Sequence, residues 1–155
     1  MIHSYEPNPA ILSNLRHHAE AVGGVVYPEA VQSKGGFVSL SVDENDSFVT
    51  QSQFAESSDI CAIAFSDVVG RAGGRIDLLK MDCEGAEWDI LEDTESWKHV
   101  YRVVCEYHGS SSNVHTKIIE RLQYLGFTIL CHEILPEHPN PELRYLGQVQ
   151  GWRKR

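Results

Sequence analysis

The sequence has no apolar run long enough to cross a bilayer. Its longest clean run, residues 60–65, is far shorter than the roughly 20 residues that a transmembrane helix needs. The N-terminal residues Met1–Glu6 carry neither a basic patch nor an apolar stretch, so they do not form a secretory signal. We therefore expect a cytoplasmic protein without a membrane span.

Basic residues are also scarce. The chain has 13 Lys and Arg against 22 Asp and Glu, which gives a formal net charge of −9. An acidic surface repels phosphate backbones, so a nucleic-acid scaffold is disfavoured. The basic C-terminus, residues 153–155, is interpreted as a solvated end. With 155 residues, 42% of them hydrophobic, the chain is long enough for a single domain with its own core.

No two cysteines form a Cys-x-x-Cys pair. Each of the four thiols lies in or beside an apolar run, which favours buried, reduced cysteines over a zinc site or disulfides. The residues concerned are Cys61, Cys83, Cys105 and Cys131.

Hydrophobic periodicity predicts alternating strands and helices. Asn8-Pro9 is a typical helix start, and the stripe Ile11, Leu15, Ala19 and Val22 continues it to Gly23-Gly24. The predicted helices span residues 9–22, 67–71 (capped by Ser66), 84–93 and 114–125, the last preceded by Asn113. The predicted strands span residues 2–6, 25–27 with an extension to 31, 37–42, 60–65, 76–81, 100–105, 127–134 and 143–152.

This order indicates an α/β fold with a mostly parallel sheet and an antiparallel last strand, in one domain covering residues 1–155. The polar stretch 43–59 is interpreted as hairpin ends or a mobile loop. In open α/β sheets, ligands bind beyond the carboxyl ends of the strands. The residues that follow each strand are therefore the candidates for a functional site.

Glu6 ends the first predicted strand and precedes a helix. A carboxylate in that position can accept both hydroxyls of a ribose, although a solvated turn acid is an equally good interpretation. Asp82 and Glu84 follow the strand at 76–81. A helix dipole alone would explain them, but they could also receive the cationic part of a ligand or, with Glu87, bind a divalent metal ion.

Glu106 and His108 follow the strand at 100–105. An imidazole at a strand end can act as a general base on a hydroxyl, with Glu106 orienting it or binding substrate. A surface loop histidine is the alternative interpretation. The predicted position at the site edge distinguishes His108 from the other seven histidines of the chain.

The segment Ile76–Leu91, with the core Lys80-x-Asp82-x-Glu84-Gly85-x-Glu87, resembles the most distinctive stretch of FkbM-type methyltransferases. Further similarities to this family lie at residues 5–9, 37–65 and 105–108. The resemblance implies a class I, Rossmann-like fold, S-adenosylmethionine as cofactor, and methylation of a hydroxyl on a sugar, lipid or secondary metabolite.

The resemblance also implies roles for individual residues. Glu6 and Asn8 would bind the cofactor, and Asp82 would lie between its methionine end and the acceptor. The acceptor side would be lined by Glu84, Glu87, Glu106 and His108, with His108 as the base and Asp82, Glu84 and Glu106 as further catalytic residues. No metal is expected.

The sequence departs from the family pattern because it contains no Gly-x-Gly, the usual cofactor loop. We therefore expect a fold that lacks its first strand and helix, with weak or no activity. The explanations are a fragment or misplaced start, a shortened relative, or a homodimer that pairs exposed sheet edges. Alternative functions are a non-catalytic remnant or interaction module, and a metal-dependent hydrolase that uses Asp82, Glu84 and Glu87.

Overall fold

The computed structural model describes residues 1–42, 50–138 and 140–154. The chain forms two compact units, Met1–Val68 and Val69–Arg155. Both contain strands and helices, so the α/β class predicted from sequence is confirmed. No helix within the described ranges is long and apolar enough to cross a membrane.

The first unit begins with strand β1 (His3–Tyr5), helix α1 (Pro9–Ala21) and strand β2 (Val25–Tyr27), and β1 pairs with β2 in parallel. Asn8 caps α1, since its side-chain oxygen accepts a hydrogen bond from the Ala10 amide at 3.0 Å. Gly23, at φ +68°, ends the helix as predicted. Ala19 of the predicted stripe and Leu12 beside it are buried, whereas Val22 at the end of the stripe is 64% exposed.

A second, mixed sheet completes the first unit. Its strands are β3 (Glu29–Gln32), β4 (Gly36–Val42), β5 (Thr50–Ala55) and β6 (Cys61–Ala64), in the order β3-β6-β4-β5. β3 and β6 are parallel, and β4 is antiparallel to both β5 and β6. The core of this sheet consists of Ala30, Val38 and Ala62.

One sequence prediction for this region is corrected, and another is borne out. β3 is a separate strand and not an extension of β2, because Pro28 interrupts the chain between them and β3 joins the other sheet. Within the polar stretch 43–59, β5 forms a hairpin with β4, in agreement with the hairpin interpretation, while residues 43–49 lie outside the described residues.

Helix α2 (Phe65–Arg71) begins two residues earlier than predicted. The carboxylate of Asp67 reaches back to accept from the Ala64 amide at 3.3 Å. Asp67, the third residue of the helix, thereby satisfies the amide that precedes the helix. Ser66 lies inside the helix and does not cap it.

The second unit contains the sheet β7-β8-β10-β9, formed by β7 (Leu79–Met81), β8 (Arg102–Gly109), β9 (Thr128–Ile134) and β10 (Tyr145–Trp152). β7 and β8 are parallel, whereas β10 lies between β8 and β9 and is antiparallel to both. The antiparallel last strand is confirmed. The prediction of a mostly parallel sheet is wrong, since both four-stranded sheets are mixed.

Three helices belong to the second unit: α3 (Glu87–Leu91), α4 (Thr94–Trp97) and α5 (Val114–Tyr124). The predicted stripe of α5 is confirmed, and Gly126 ends the helix at φ +89°. Its buried residues are Val114, Ile118, Leu122 and, just after the helix, Leu125. α4 was not predicted; it begins where Asp93 accepts from the Ser96 amide at 3.1 Å.

Element boundaries near the predicted site also differ. β7 is short, with only an isolated bridge between Ile76 and Val100 before it. β8 continues to Gly109, so Glu106 and His108 lie within the strand rather than after it. α3 begins at Glu87 and not at Glu84, which removes the helix-dipole explanation for Asp82 and Glu84.

All four cysteines are free thiols. The prediction that they are buried holds for Cys105 alone, since Cys83 is half-buried and Cys61 and Cys131 are exposed. The two exposed thiols lie on strands β6 and β9, where alternate residues point to the outer face of a sheet.

Candidate functional site

The parallel pair β7 and β8 brings most of the predicted site residues together. Met81 pairs with Cys105 at the end of β7, so Asp82 leaves the sheet beside the continuing strand β8. Glu106 and His108 are two residues apart on β8 and therefore point to the same face. The residues assembled here are Asp82, Glu84, Glu87, Glu106 and His108, which we call the carboxylate–histidine cluster.

The turn between β7 and α3 has an unusual backbone. Glu84 lies at φ +49°, the one non-glycine residue with positive φ in the described part of the chain, and Gly85 follows at φ +107°. Residues with a Cβ atom are disfavoured at positive φ. The φ value of Gly85 lies in a region that glycine alone adopts readily. Residues held in such conformations often occur at functional sites. This turn directs the carboxylate of Glu84 towards His108.

Glu87 anchors the cluster from inside the protein. Its side chain is fully buried, and its two oxygens accept hydrogen bonds from the amides of Cys83 (2.8 Å) and Gly85 (3.0 Å). Oε1 also lies 3.2 Å from Nδ1 of His108, whose side chain is 2% exposed. Because the carboxylate accepts, Nδ1 carries the proton in this pair, and Nε2 is the atom directed to the rest of the cluster.

Nε2 of His108 faces two carboxylates. It lies 3.5 Å from Oε2 of Glu84 and 3.8 Å from Oε1 of Glu106. Asp82 is close as well: one ligand atom each from Asp82, Glu84 and His108 lie within 4.8 Å of one another. The face of β8 that carries Glu106 and His108 therefore holds a concentration of negative charge.

This concentration of charge shifts the protonation of the cluster. Burial is the main cause that raises the pKa of Glu84 to about 7; the charge of His108 opposes this shift, and the charges of Asp82, Glu87 and Glu106 add to it. Burial alone would lower the pKa of His108. The hydrogen bond to Glu87 and the carboxylates around the ring outweigh burial and raise it.

The two cysteines near the cluster are not activated. Burial and the charge of Glu87 raise the pKa of Cys83 to about 12 and also raise that of Cys105. A thiol that stays protonated is a poor nucleophile. The chemistry of this region is therefore carried by oxygen and imidazole groups.

Lys80, the first residue of the motif Lys80–Glu87, pairs with Asp82. Its Nζ lies 2.9 Å from Oδ2 of Asp82 at the protein surface. Burial of the lysine would lower its pKa, but the hydrogen bond and charge of Asp82 raise it instead.

Two further residues of the site were not predicted. Gln148 on β10 donates to Oε2 of Glu106 at 2.9 Å, and Trp88 on α3 donates to the carbonyl of His108 at 2.8 Å. Gln148 lies directly opposite Glu106 in the antiparallel register. The contact between Gln148 and Glu106 joins residues 42 positions apart, so no local sequence pattern predicts it. Trp88 directly follows Glu87, so the motif at Asp82–Glu87 points to this residue.

Glu6 and Asn8, the predicted cofactor residues, belong to the first unit. Oε1 of Glu6 accepts from the amide of Asn8 at 2.7 Å, and Asn8 is buried at the start of α1. The cofactor residues predicted from sequence are thus divided between the first unit and Asp82 in the second.

The cluster can perform three kinds of chemistry. Its carboxylates can accept hydrogen bonds from substrate hydroxyls, its imidazole or a carboxylate can receive a proton, and the three ligand atoms can hold a cation. The side chains of Asp82 and Glu84 are 30% and 22% exposed, so the cluster is open to solvent on one side.

Comparison with known proteins identifies the family. A family model described as the methyltransferase FkbM domain matches residues 1–129, which include Glu6, Asn8 and the whole carboxylate–histidine cluster. Neither the curated proteins nor the solved structures give a significant match. Because the match covers most of the sequence, the chain belongs to the FkbM methyltransferase family.

Proposed function

We propose that this protein transfers a methyl group from S-adenosylmethionine to a hydroxyl oxygen of a small molecule, such as a sugar, a lipid or a secondary metabolite. The observation that carries the proposal is the convergence of Glu84, Glu106 and His108 on one sheet face. This convergence lies inside the segment matched by the methyltransferase domain. We keep the cytoplasm as the expected location.

S-adenosylmethionine supplies an electrophilic methyl group on a sulfonium centre. Glu6 fits the ribose end of this molecule, because Oε2 has no hydrogen bond within the described residues while Oε1 holds the amide of Asn8. Asn8 supports this arrangement by capping α1. Asp82, with a partly exposed carboxylate, suits the positively charged amino group of the methionine part.

The cluster acts on the acceptor. A hydroxyl oxygen attacks effectively when its proton leaves to a base, and His108 and Glu106 are the groups placed to receive that proton. Glu106 is held by Gln148, and His108 is held by Glu87. In this proposal Glu87 is a positioning residue, in place of the acceptor-side role predicted from sequence, since both its oxygens are engaged inside the protein.

The direct test uses the purified chain, S-adenosylmethionine with an isotopically labelled methyl group, and a broad panel of hydroxylated acceptors. We expect label in an O-methyl product together with one equivalent of S-adenosylhomocysteine. Tight cofactor binding without transfer to any acceptor of the panel would contradict the O-methyltransferase assignment. A folded chain that binds no cofactor would instead favour the non-catalytic alternative.

A further inference from the structure

We infer that Asp82, Glu84 and His108 form a binding site for one divalent transition-metal cation. The cation site itself stands on geometry, while its catalytic consequence rests on the proposed function. It also replaces the metal trio considered from sequence, because Glu87 lies behind His108 with its oxygens committed to Cys83, Gly85 and the imidazole.

The distances in the cluster suit a single ion. The three ligand atoms, one from each residue, lie within 4.8 Å of one another. Around an octahedral ion with bonds of about 2.1 Å, adjacent ligands are about 3.0 Å apart and opposite ligands about 4.2 Å apart. Small side-chain movements would close the observed separations to these values.

The environment of His108 gives independent support. The ring is almost fully buried, and Glu87 fixes the proton on Nδ1. Nε2 faces the oxygens of Glu84 at 3.5 Å and Glu106 at 3.8 Å, so these carboxylates stabilise a positive charge at this position, either a proton on the ring or a bound cation. A histidine with a carboxylate behind its other ring nitrogen is the usual arrangement of a metal ligand.

The donor set indicates which cations fit. Two carboxylates neutralise a divalent charge and suit Mn²⁺, and an imidazole nitrogen favours Fe²⁺ or Zn²⁺ over Ca²⁺ or Mg²⁺. Lys80 occupies Oδ2 of Asp82 and leaves the other oxygen for the ion. The partial exposure of Asp82 and Glu84 provides an entry path and open coordination positions.

Within the proposed function, a bound cation changes the roles of the residues, because Asp82 then binds the ion instead of the amino group of the methionine part. The acceptor hydroxyl would occupy an open coordination position, where the cation favours its ionised form. Nε2 of His108 cannot bind the ion and a proton at once. Glu106, outside the ligand set and held by Gln148, then receives the hydroxyl proton.

The test is a titration of the full chain with Mn²⁺, followed by the paramagnetic resonance signal of the free ion. The variants are Glu84→Gln and His108→Gln. The matched controls are Glu95→Gln and His99→Gln, because both residues are exposed and lie in the same unit. Circular dichroism checks that each variant folds. If His108→Gln does not fold, the comparison of Glu84→Gln with the wild type decides the test, since Glu84 makes no hydrogen bond within the described residues.

We expect one Mn²⁺ per chain, bound at least tenfold more weakly by each site variant and unchanged by the controls. Absence of binding by the folded wild-type chain would overturn the inference, as would equal binding by the wild type and Glu84→Gln. The readout is independent of methyl transfer. Mn²⁺ binding without transfer would count against the proposed function and leave the metal site in place.

Discussion

Oε1 of Glu87 and Nδ1 of His108 lie 3.2 Å apart in the interior of the second unit, and neither side chain is more than 2% exposed. The pair joins the start of α3 to the far end of β8 across 21 positions of sequence. It thereby couples the strained turn at Glu84 and Gly85 to the strand that carries Glu106 and His108.

Replacing Glu87 by alanine should destabilise the protein strongly. The change leaves the amides of Cys83 and Gly85, together with His108, without their buried acceptor. Loss of one partner from such a buried network costs about 3–5 kcal/mol in the free energy of unfolding. Urea unfolding measures it. Glu95→Ala, which removes an exposed pair with Lys98, should cost less than about 1 kcal/mol. Equal effects of the two substitutions would refute the anchoring role of Glu87.

Gly85→Ala should be destabilising because of the backbone alone. At φ +107° a residue with a Cβ atom is strained, at a cost of about 1–3 kcal/mol. Gly70→Ala is the matched control, since Gly70 lies in α2 with open space around its Cα and alanine is favoured in helices by up to about 1 kcal/mol. Thermal and urea unfolding should therefore shift in opposite directions for the two variants. A Gly85→Ala protein as stable as the wild type would contradict the strained turn.

A second histidine group predicts a pH dependence of stability. The hydroxyl of Tyr107 bridges Nδ1 of His115 (2.9 Å) and Nε2 of His132 (2.6 Å). Burial, followed by the charge of His115, lowers the pKa of His132 below its usual 6.5. At pH values below 6.5, the unfolded chain binds more protons at His132 than the folded chain does. The contribution of neutral His132 to the free energy of unfolding is therefore complete above pH 6.5 and is lost as the pH falls through the lowered pKa of the folded state.

The variant His132→Gln removes this contribution. The gain in unfolding free energy between pH 5 and pH 7.5 should then be smaller than in the wild type, while His99→Gln should keep the wild-type gain. Urea unfolding at the two pH values measures both. The same pH dependence in His132→Gln and the wild type would exclude the proposed role of this residue.

Glu6→Ala should weaken cofactor binding. If Oε2 of Glu6 receives a ribose hydroxyl, the loss of a hydrogen bond to a charged group costs about 1.5–3 kcal/mol, or roughly 10-fold to 150-fold in Kd. Calorimetric titration with S-adenosylmethionine and S-adenosylhomocysteine measures the change. Glu20→Ala, on the exposed face of α1, is the control. Unchanged binding by Glu6→Ala would remove Glu6 from the cofactor site.

The parts of the fold that follow from sequence are those set by neighbouring residues. The stripe Val114, Ile118 and Leu122 defines α5, and Asn8 with Pro9 defines the start of α1, because capping and helical periodicity are local effects. β8 extends beyond its predicted end at Cys105. Buried Cys105 and Tyr107 alternate there with half-buried Glu106, a strand pattern in which a single polar residue does not mark the end of the strand.

Other features depend on pairing between distant segments. The position of β10 between β8 and β9 makes the sheet mixed, and it places Gln148 against Glu106. Neither contact has a local signal. The sequence nevertheless predicts that Asp82 and Glu84 lie near Glu106 and His108, because adjacent parallel strands carry the residues at their carboxyl ends to the same edge of a sheet.

The most direct test of the account is the rate of methyl transfer to a hydroxylated acceptor by Glu106→Gln compared with Glu95→Gln. We predict a fall in kcat of about 10²–10⁴ for Glu106→Gln, the usual contribution of a general base, with Glu95→Gln at the wild-type rate. A Glu106→Gln protein that transfers methyl groups as fast as its control would contradict the central claim that the carboxylate–histidine cluster receives the acceptor proton.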